Sequence, residues 1–196
     1  MATIPLAERM RPRSIAEILG QEHLLSEGAV LLKAIRSGRL PSMILWGPPG
    51  VGKTTLARVI AGEMGLSFIP LSAIHSGVKD IRDAIAQAKK QGYFDRPGPI
   101  LVIDEIHRFS KSQQDSLLGA VEDGTVTLIG ATTENPSFEV ISALLSRSQV
   151  YVLKPLDEET MRKLIARAIS QDEELKKKKI IIEEDNALLQ ITGGDA

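Results

Sequence analysis

The residues best suited to do chemistry lie at 47–54, where Gly47-Pro48-Pro49-Gly50-Val51-Gly52-Lys53-Thr54 follows the apolar run Met43-Ile44-Leu45-Trp46. The spacing G-x-x-x-x-G-K-[ST] is the Walker A pattern of a phosphate-binding loop. Such a loop turns successive backbone N–H groups toward an anion, and it needs glycine where a Cβ would block the approach or φ is positive. Lys53 is then placed to reach β- and γ-phosphates, and the Thr54 hydroxyl to ligate Mg²⁺. Lys53 to Ala61 reads as a helix whose N-terminal dipole faces the anion. The expected cofactors are ATP or ADP and Mg²⁺, bound by residues from Gly47 through Thr54 and Thr55.

A second signal is Ile100-Leu101-Val102-Ile103-Asp104-Glu105, four apolar residues followed by two carboxylates. Open α/β sheets bind ligands at the C-terminal ends of their strands. Asp104 would hold Mg²⁺ there, directly or through water, and Glu105 would polarise an attacking water as general base. The second acid points to hydrolysis rather than to a kinase, which has to exclude water. Leu128-Ile129-Gly130-Ala131-Thr132-Thr133-Glu134-Asn135 is another strand with a polar end. Thr133 is the preferred group to contact the γ-phosphate and the water, then Thr132, then Asn135; a plain turn is the alternative. Arg147, in Leu145-Ser146-Arg147-Ser148, has no carboxylate partner nearby in sequence. It either reaches the ATP of a neighbouring subunit and stabilises transition-state charge, or makes an ordinary surface ion pair.

Five apolar runs must position these groups: Met43–Trp46, Ser67–Leu71, Ile100–Asp104, Thr125–Thr132 and Gln149–Leu153. Helical patterns alternate with them at Lys53–Met64, Val78–Gln91, Ser110–Glu122 and, more briefly, Ala143–Leu145. That alternation predicts an α/β fold with a parallel sheet covered on both faces, which also explains why the strands are almost continuously apolar. Ser14–Leu19 and Glu27–Ile35 read as helices closed by Gly20 and Gly38, beside the nucleotide end of the sheet. Asp157–Ile169 is an amphipathic helix with an acidic first turn, and Glu184–Ile191 a further helical stretch. The chain thus divides into a nucleotide-binding core at 1–155 and the beginning of a small helical unit at 156–196.

Composition narrows the functional classes. Lys and Arg number 24 against 25 Asp and Glu, so no overall basic footprint marks a nucleic-acid binder. Residues 156–196 are net negative, and Lys176-Lys177-Lys178-Lys179 reads as a solvated face. There is no cysteine, which excludes disulfides and thiolate metal sites, and His23, His75 and His107 lack ligand spacing. No run of about 20 apolar residues and no signal-peptide pattern is present, so a cytoplasmic protein without membrane contact is expected.

Taken together, the motifs resemble AAA+ ATPases of the clamp-loader group. More narrowly, they resemble the bacterial replication-associated recombination protein A family, related to eukaryotic Werner-helicase-interacting protein. The resemblance is carried by Pro5-Leu6-Ala7-Glu8-Arg9-Met10-Arg11-Pro12, Gly20-Gln21-Glu22-His23 and Ser42 to Gly50. Asp104-Glu105-Ile106-His107-Arg108-Phe109, Lys111-Ser112-Gln113-Gln114-Asp115 and Gly130-Ala131-Thr132-Thr133-Glu134-Asn135-Pro136-Ser137-Phe138 also carry it. It extends over essentially the whole chain.

The resemblance implies a P-loop NTPase sheet of order 5-1-4-3-2 and a homo-oligomer with ATP at subunit interfaces. It makes Thr132–Thr133 the sensor 1 region and Arg147 a finger acting in trans, and lines the adenine pocket with Arg11, Pro12, Ile18 and Leu19. Ser72 falls where relatives restrain the catalytic glutamate, although a plain strand-end serine is the simpler reading. The implied activity is Mg²⁺-dependent ATP hydrolysis in replication-fork maintenance and recombination, with DNA as partner and nucleoid association. Single-strand-binding protein is a further implied partner. Lys79, Arg82, Arg108 and Lys111 are then the DNA-contact candidates, or simply solvated helix ends. A clamp-loader or branch-migration subunit, and an assembly module organised by ATP, are the alternative functions. The sequence stops at Gly194-Asp195-Ala196, one residue before the family's sensor 2 arginine. Nucleotide binding with slow turnover and a mostly monomeric state are expected from that.

Overall fold

The computed structural model describes residues 4–91, 98–178, 180 and 182. Its centre is a five-stranded parallel sheet of β1 (Met43–Trp46), β2 (Phe68–Ser72), β3 (Ile100–Asp104), β4 (Thr127–Thr132) and β5 (Gln149–Val152). The spatial order is β2-β3-β4-β1-β5, the expected order seen from the other edge.

Alternation along each strand explains the unbroken apolar runs. Leu101 and Ile103 of β3 join Ile44 of β1 in one buried cluster, whereas Ile100 and Val102 join Met43 and Leu45 in another. The first cluster lies under α5 (Val78–Gln91), α7 (Leu118–Glu122) and α9 (Ser142–Leu145), and α6 (Lys111–Asp115) and α8 (Pro136–Glu139) pack against α9. The second receives α3 (Val30–Arg36) and α4 (Lys53–Glu63) through Leu31, Ile35, Leu56 and Ile60. Both faces are therefore dry, as a parallel sheet requires. Pro70 lies in β2, an edge strand paired only with β3, where one missing backbone donor is tolerated.

Several predicted helices are shorter or divided. Ser14–Leu19 is only a 3₁₀ turn at Ile15–Glu17, with Ser14 and Ile18 extended on either side. The stretch predicted as Glu27–Ile35 begins at Val30, because Gly28 has φ 91° and Ala29 is extended; α2 (Glu22–Leu25) precedes it. Ser110–Glu122 divides into α6 and α7 around Ser116–Leu117, where fully buried Leu117 drops into the core. Gln114 fastens that break. Its buried amide donates to the carbonyls of Phe109 and Glu139 at 3.1 and 3.0 Å and accepts from Ile141 N at 2.9 Å. Three one-turn helices went unpredicted, α1 (Leu6–Arg9), α2 and α8. The helix expected near Asp157 is present as α10 (Glu158–Gln171), capped by Asp157 through Thr160 N. The stretch Glu184–Ile191 lies outside the described residues. No helix among the described residues is long and apolar enough to cross a membrane.

The interior strand β3 is the place to test this packing. Leu101 is fully buried in the cluster under α5, so Leu101→Ala should lower unfolding stability by about 2–5 kcal/mol, read as a reduced denaturant midpoint at unchanged slope.

Candidate nucleotide-binding and hydrolysis site

The loop at 47–52 emerges from β1 and is held at its base by Gly47 N donating to Thr132 O at 3.2 Å. A Cβ on Gly47 would lie 2.6 Å from the Leu153 carbonyl oxygen, a backbone atom that cannot yield. Gly50 and Gly52 have φ of 75° and 88°, which leads the chain from strand into α4 without strain. Val51 is buried and anchors the loop tip in the core. Lys53, also buried, donates from Nζ to the carbonyls of Gly47 and Pro48, both at 2.8 Å.

The expected metal ligands meet. Thr54 in the first turn of α4 donates through Oγ1 to Asp104 Oδ1 at 3.2 Å. An alcohol and a carboxylate oxygen side by side suit a hard cation such as Mg²⁺, which Thr54 and Asp104 would hold.

Glu105 is the one non-glycine residue with positive φ among those described, at φ 55° and ψ 45°. This left-handed turn ends the strand and starts the 3₁₀ turn Ile106–Arg108, sending the carboxylate sideways toward the end of β4. Glu105 Oε2 accepts from the Thr133 hydroxyl at 3.3 Å and lies 3.3 Å from His107 Nδ1. Thr132 is fully buried, and its hydroxyl contacts Glu134 N, Glu134 O and His107 Nδ1 at 3.1, 3.2 and 3.0 Å. Asn135 accepts from Ser137 N at 3.0 Å and so caps α8. Ser72 aligns with Asp104 in the β2–β3 pairing, but Glu105 takes its partners from Thr133 and His107.

Behind the loop lies a cavity of about 390 Å³, within the size range of small-ligand pockets. Arg11, Pro12, Ile18 and Leu19 line one side, Gly50, Val51, Gly52 and Thr55 another, and Met161 and Ile165 of α10 the third. The pocket-lining segment is pinned from both ends. Buried Gln21 donates to Lys154 O at 2.8 Å and accepts from Lys154 N at 3.1 Å, and His23 Nε2 meets Val152 O at 2.8 Å. Across the cavity, Arg9 forms a bidentate pair with Asp172 at 2.6 and 3.0 Å, and Arg167 bonds Glu17 O at 2.8 Å. Adjacency in space, not in sequence, makes these braces, so the sequence reading missed them.

Arg147 does have a carboxylate partner. Glu122, at the end of α7, stands 2.6 Å away, brought there by the fold from 25 residues upstream. The guanidinium is half exposed and also donates to Ala143 O and the Ser146 hydroxyl. Lys79, Arg82, Arg108 and Lys111 are all exposed, as are Lys176 to Lys178. No group of three or more metal-ligating His, Cys, Asp or Glu residues forms among the described residues. His107, set aside on sequence for want of ligand spacing, is the member of this polar cluster that the sequence did not single out. Its position two residues after Glu105 was the available signal.

Residues 43–156 match the ATPase family associated with various cellular activities (AAA), and the chain belongs to that family. Within it the likeness is to replication-associated recombination protein A, as the motifs implied. The Haemophilus influenzae protein of that name is 50% identical over 195 residues, 98% of this chain and 44% of the relative. The Escherichia coli protein is 55% identical over 84% of this chain and 37% of its own length. ATPase WRNIP1 of Dictyostelium discoideum is 46% identical over 98% of the chain and 22% of the relative. The chain therefore spans less than half the length of these curated relatives. Among solved structures, the Thermotoga maritima RuvB Holliday junction branch migration motor superposes with a TM-score of 0.67 at 34% identity. That match covers 82% of this chain and 54% of the motor chain.

The brace between α1 and the end of α10 gives a pH signature. The Arg9 guanidinium, helped by the N–H groups of Leu175 and Glu174, holds the Asp172 carboxyl at about 2, below its ordinary 3.8. A depressed carboxylate stabilises the fold fully above its unfolded value near 4 and loses that contribution as pH falls toward 2. Melts of wild type and Asp172→Asn should differ by a constant amount above pH about 4 and converge between about 4 and 2. A difference that stays constant through that window would remove the ion pair from the account.

Proposed function

We propose that this chain is the ATP-hydrolysing core of an AAA+ machine that acts on DNA at replication forks and in recombination. The observation that carries the reading is the meeting of Glu105 with Thr133 beside the Thr54–Asp104 pair. Backbone N–H groups of the loop and the Lys53 ammonium would receive the phosphates. Thr54 and Asp104 would hold Mg²⁺, which neutralises phosphate charge when bound. The Glu105 carboxylate accepts a proton from the water that attacks the γ-phosphorus, as the bond to the β–γ bridging oxygen breaks and ADP leaves with that oxygen. Thr133 serves as the γ-phosphate contact in preference to Thr132, whose hydroxyl is already committed to Glu134 and His107. Arg11, Pro12, Ile18 and Leu19 hold the adenine.

Arg147 acts on the ATP of a neighbouring copy, which requires it to leave Glu122 on assembly. That exchange is inexpensive, because a half-exposed ion pair contributes little to stability. Lys79, Arg82, Arg108 and Lys111 supply exposed positive charge for DNA phosphates. The reading draws on the relatives named for replication-associated recombination and on a branch migration motor sharing the fold.

The test is Glu105→Gln, followed by nucleotide binding and by phosphate release with and without forked DNA. The variant should bind ATP with unchanged affinity and lose turnover by a factor of about 10² or more. Hydrolysis at the wild-type rate would sink the assignment of Glu105, and failure of DNA to alter the wild-type rate would count against the DNA-directed part.

A further inference from the structure

The polar cluster at the ends of β3 and β4 holds one side chain that the scheme above does not use. His107 Nδ1 is 3.0 Å from the Thr132 hydroxyl and 3.3 Å from Glu105 Oε2, and its side chain is 12% exposed. An ionised carboxylate only accepts hydrogen bonds. Were Nδ1 the unprotonated nitrogen, its lone pair would face that of Oε2, so the proton belongs on Nδ1. The Thr132 hydroxyl then spends its single hydrogen on the Glu134 carbonyl and accepts from both Glu134 N and His107. Every hydrogen in the cluster thereby has an assigned acceptor, and one imidazole N–H spans the base and the buried end of β4.

We propose that His107 is a positioning residue for hydrolysis, its Nδ1–H holding the Glu105 carboxylate against the Thr132–Thr133 segment so that base and γ-phosphate contact move as one unit. The inference rests on Glu105 being the base. Glu105 needs such a restraint because its backbone is in the strained left-handed region and its side chain is about a quarter exposed. The hydrogen bond from Thr133 and the 3.3 Å approach of His107 Nδ1 fall on the same oxygen, which leaves Oε1, with no hydrogen bond among the described residues, as the atom to meet water. Ser72, on the strand beyond β3, is not among these partners.

Three variants and one spectrum test this. His107→Leu removes the donor, His107→Asn returns an amide N–H close to the Nδ1 position, and Glu105→Gln serves as control. His107→Leu should reduce kcat by about tenfold or more with the nucleotide Kd unchanged within about twofold, and His107→Asn should recover most of the loss. In the wild-type chain, ¹⁵N-resolved imidazole correlations should show the proton on Nδ1, the less common tautomer of free histidine.

A leucine variant within about twofold of wild-type kcat would overturn the proposal. So would an asparagine variant no better than leucine while both melt normally, or a ring carrying its proton on Nε2 alone. Normal hydrolysis by Glu105→Gln would instead defeat the general-base reading, whereas the tautomer reports the contact whether or not Glu105 is the base.

Discussion

The nucleotide end of this molecule depends on the register of the three central strands. Parallel pairing sets Ile103 opposite Gly130 and Trp46 opposite Thr132, which brings the last residues of β3, β4 and β1 to one level. From that level the phosphate loop, the two carboxylates and the paired threonines all depart. A slip of one residue would send each strand's side chains to the opposite face, misfitting both clusters, and carry Asp104 away from Thr54. The dry clusters on both faces of the sheet make such a slip prohibitive. Core packing and catalytic geometry are therefore one constraint.

A polar layer sits on this apolar base, and its order follows from the cost of burying unpaired groups. Lys53, Thr132, Gln21 and Gln114 are all buried, and each spends its hydrogen bonds on backbone atoms or on another member of the site. The glutamines join segments far apart in sequence, Gln21 to Lys154 and Gln114 to Glu139 and Ile141. Arg9 and Arg167 do the same across the cavity, tying the N-terminal segment to α10 and the residue that follows it. An adenine entering there would contact a pocket whose walls are already fastened to each other. Preorganisation of this kind lowers the ordering cost of binding.

Much of the fold and of the phosphate site was legible because it is local. Glycine, lysine and threonine spacing defines the loop, and apolar runs ending in carboxylates or threonines define the strands. The sheet order and the adenine-side residues came from the resemblance, since neither follows from periodicity. What stayed hidden depends on distance in space. Glu122 meets Arg147 only after β4, α8 and α9 have folded back, and Asp172 meets Arg9 across most of the chain. Short helices such as α1 and α8 escaped because a single turn carries no period to detect, and Gly28 broke a helix that composition alone would extend. His107 was passed over because it was weighed as a metal ligand and not as a polar neighbour of Glu105 and Thr132.

Glu105 occupies a backbone conformation in which glycine would be more comfortable. With Glu105 as the proposed base, selection for stability and selection for turnover pull this position in opposite directions. Random variation screened only for folded, soluble protein would accept glycine or asparagine here and remove the carboxylate. A lineage that kept the fold as a nucleotide-dependent scaffold could lose hydrolysis through a single change that improves its stability.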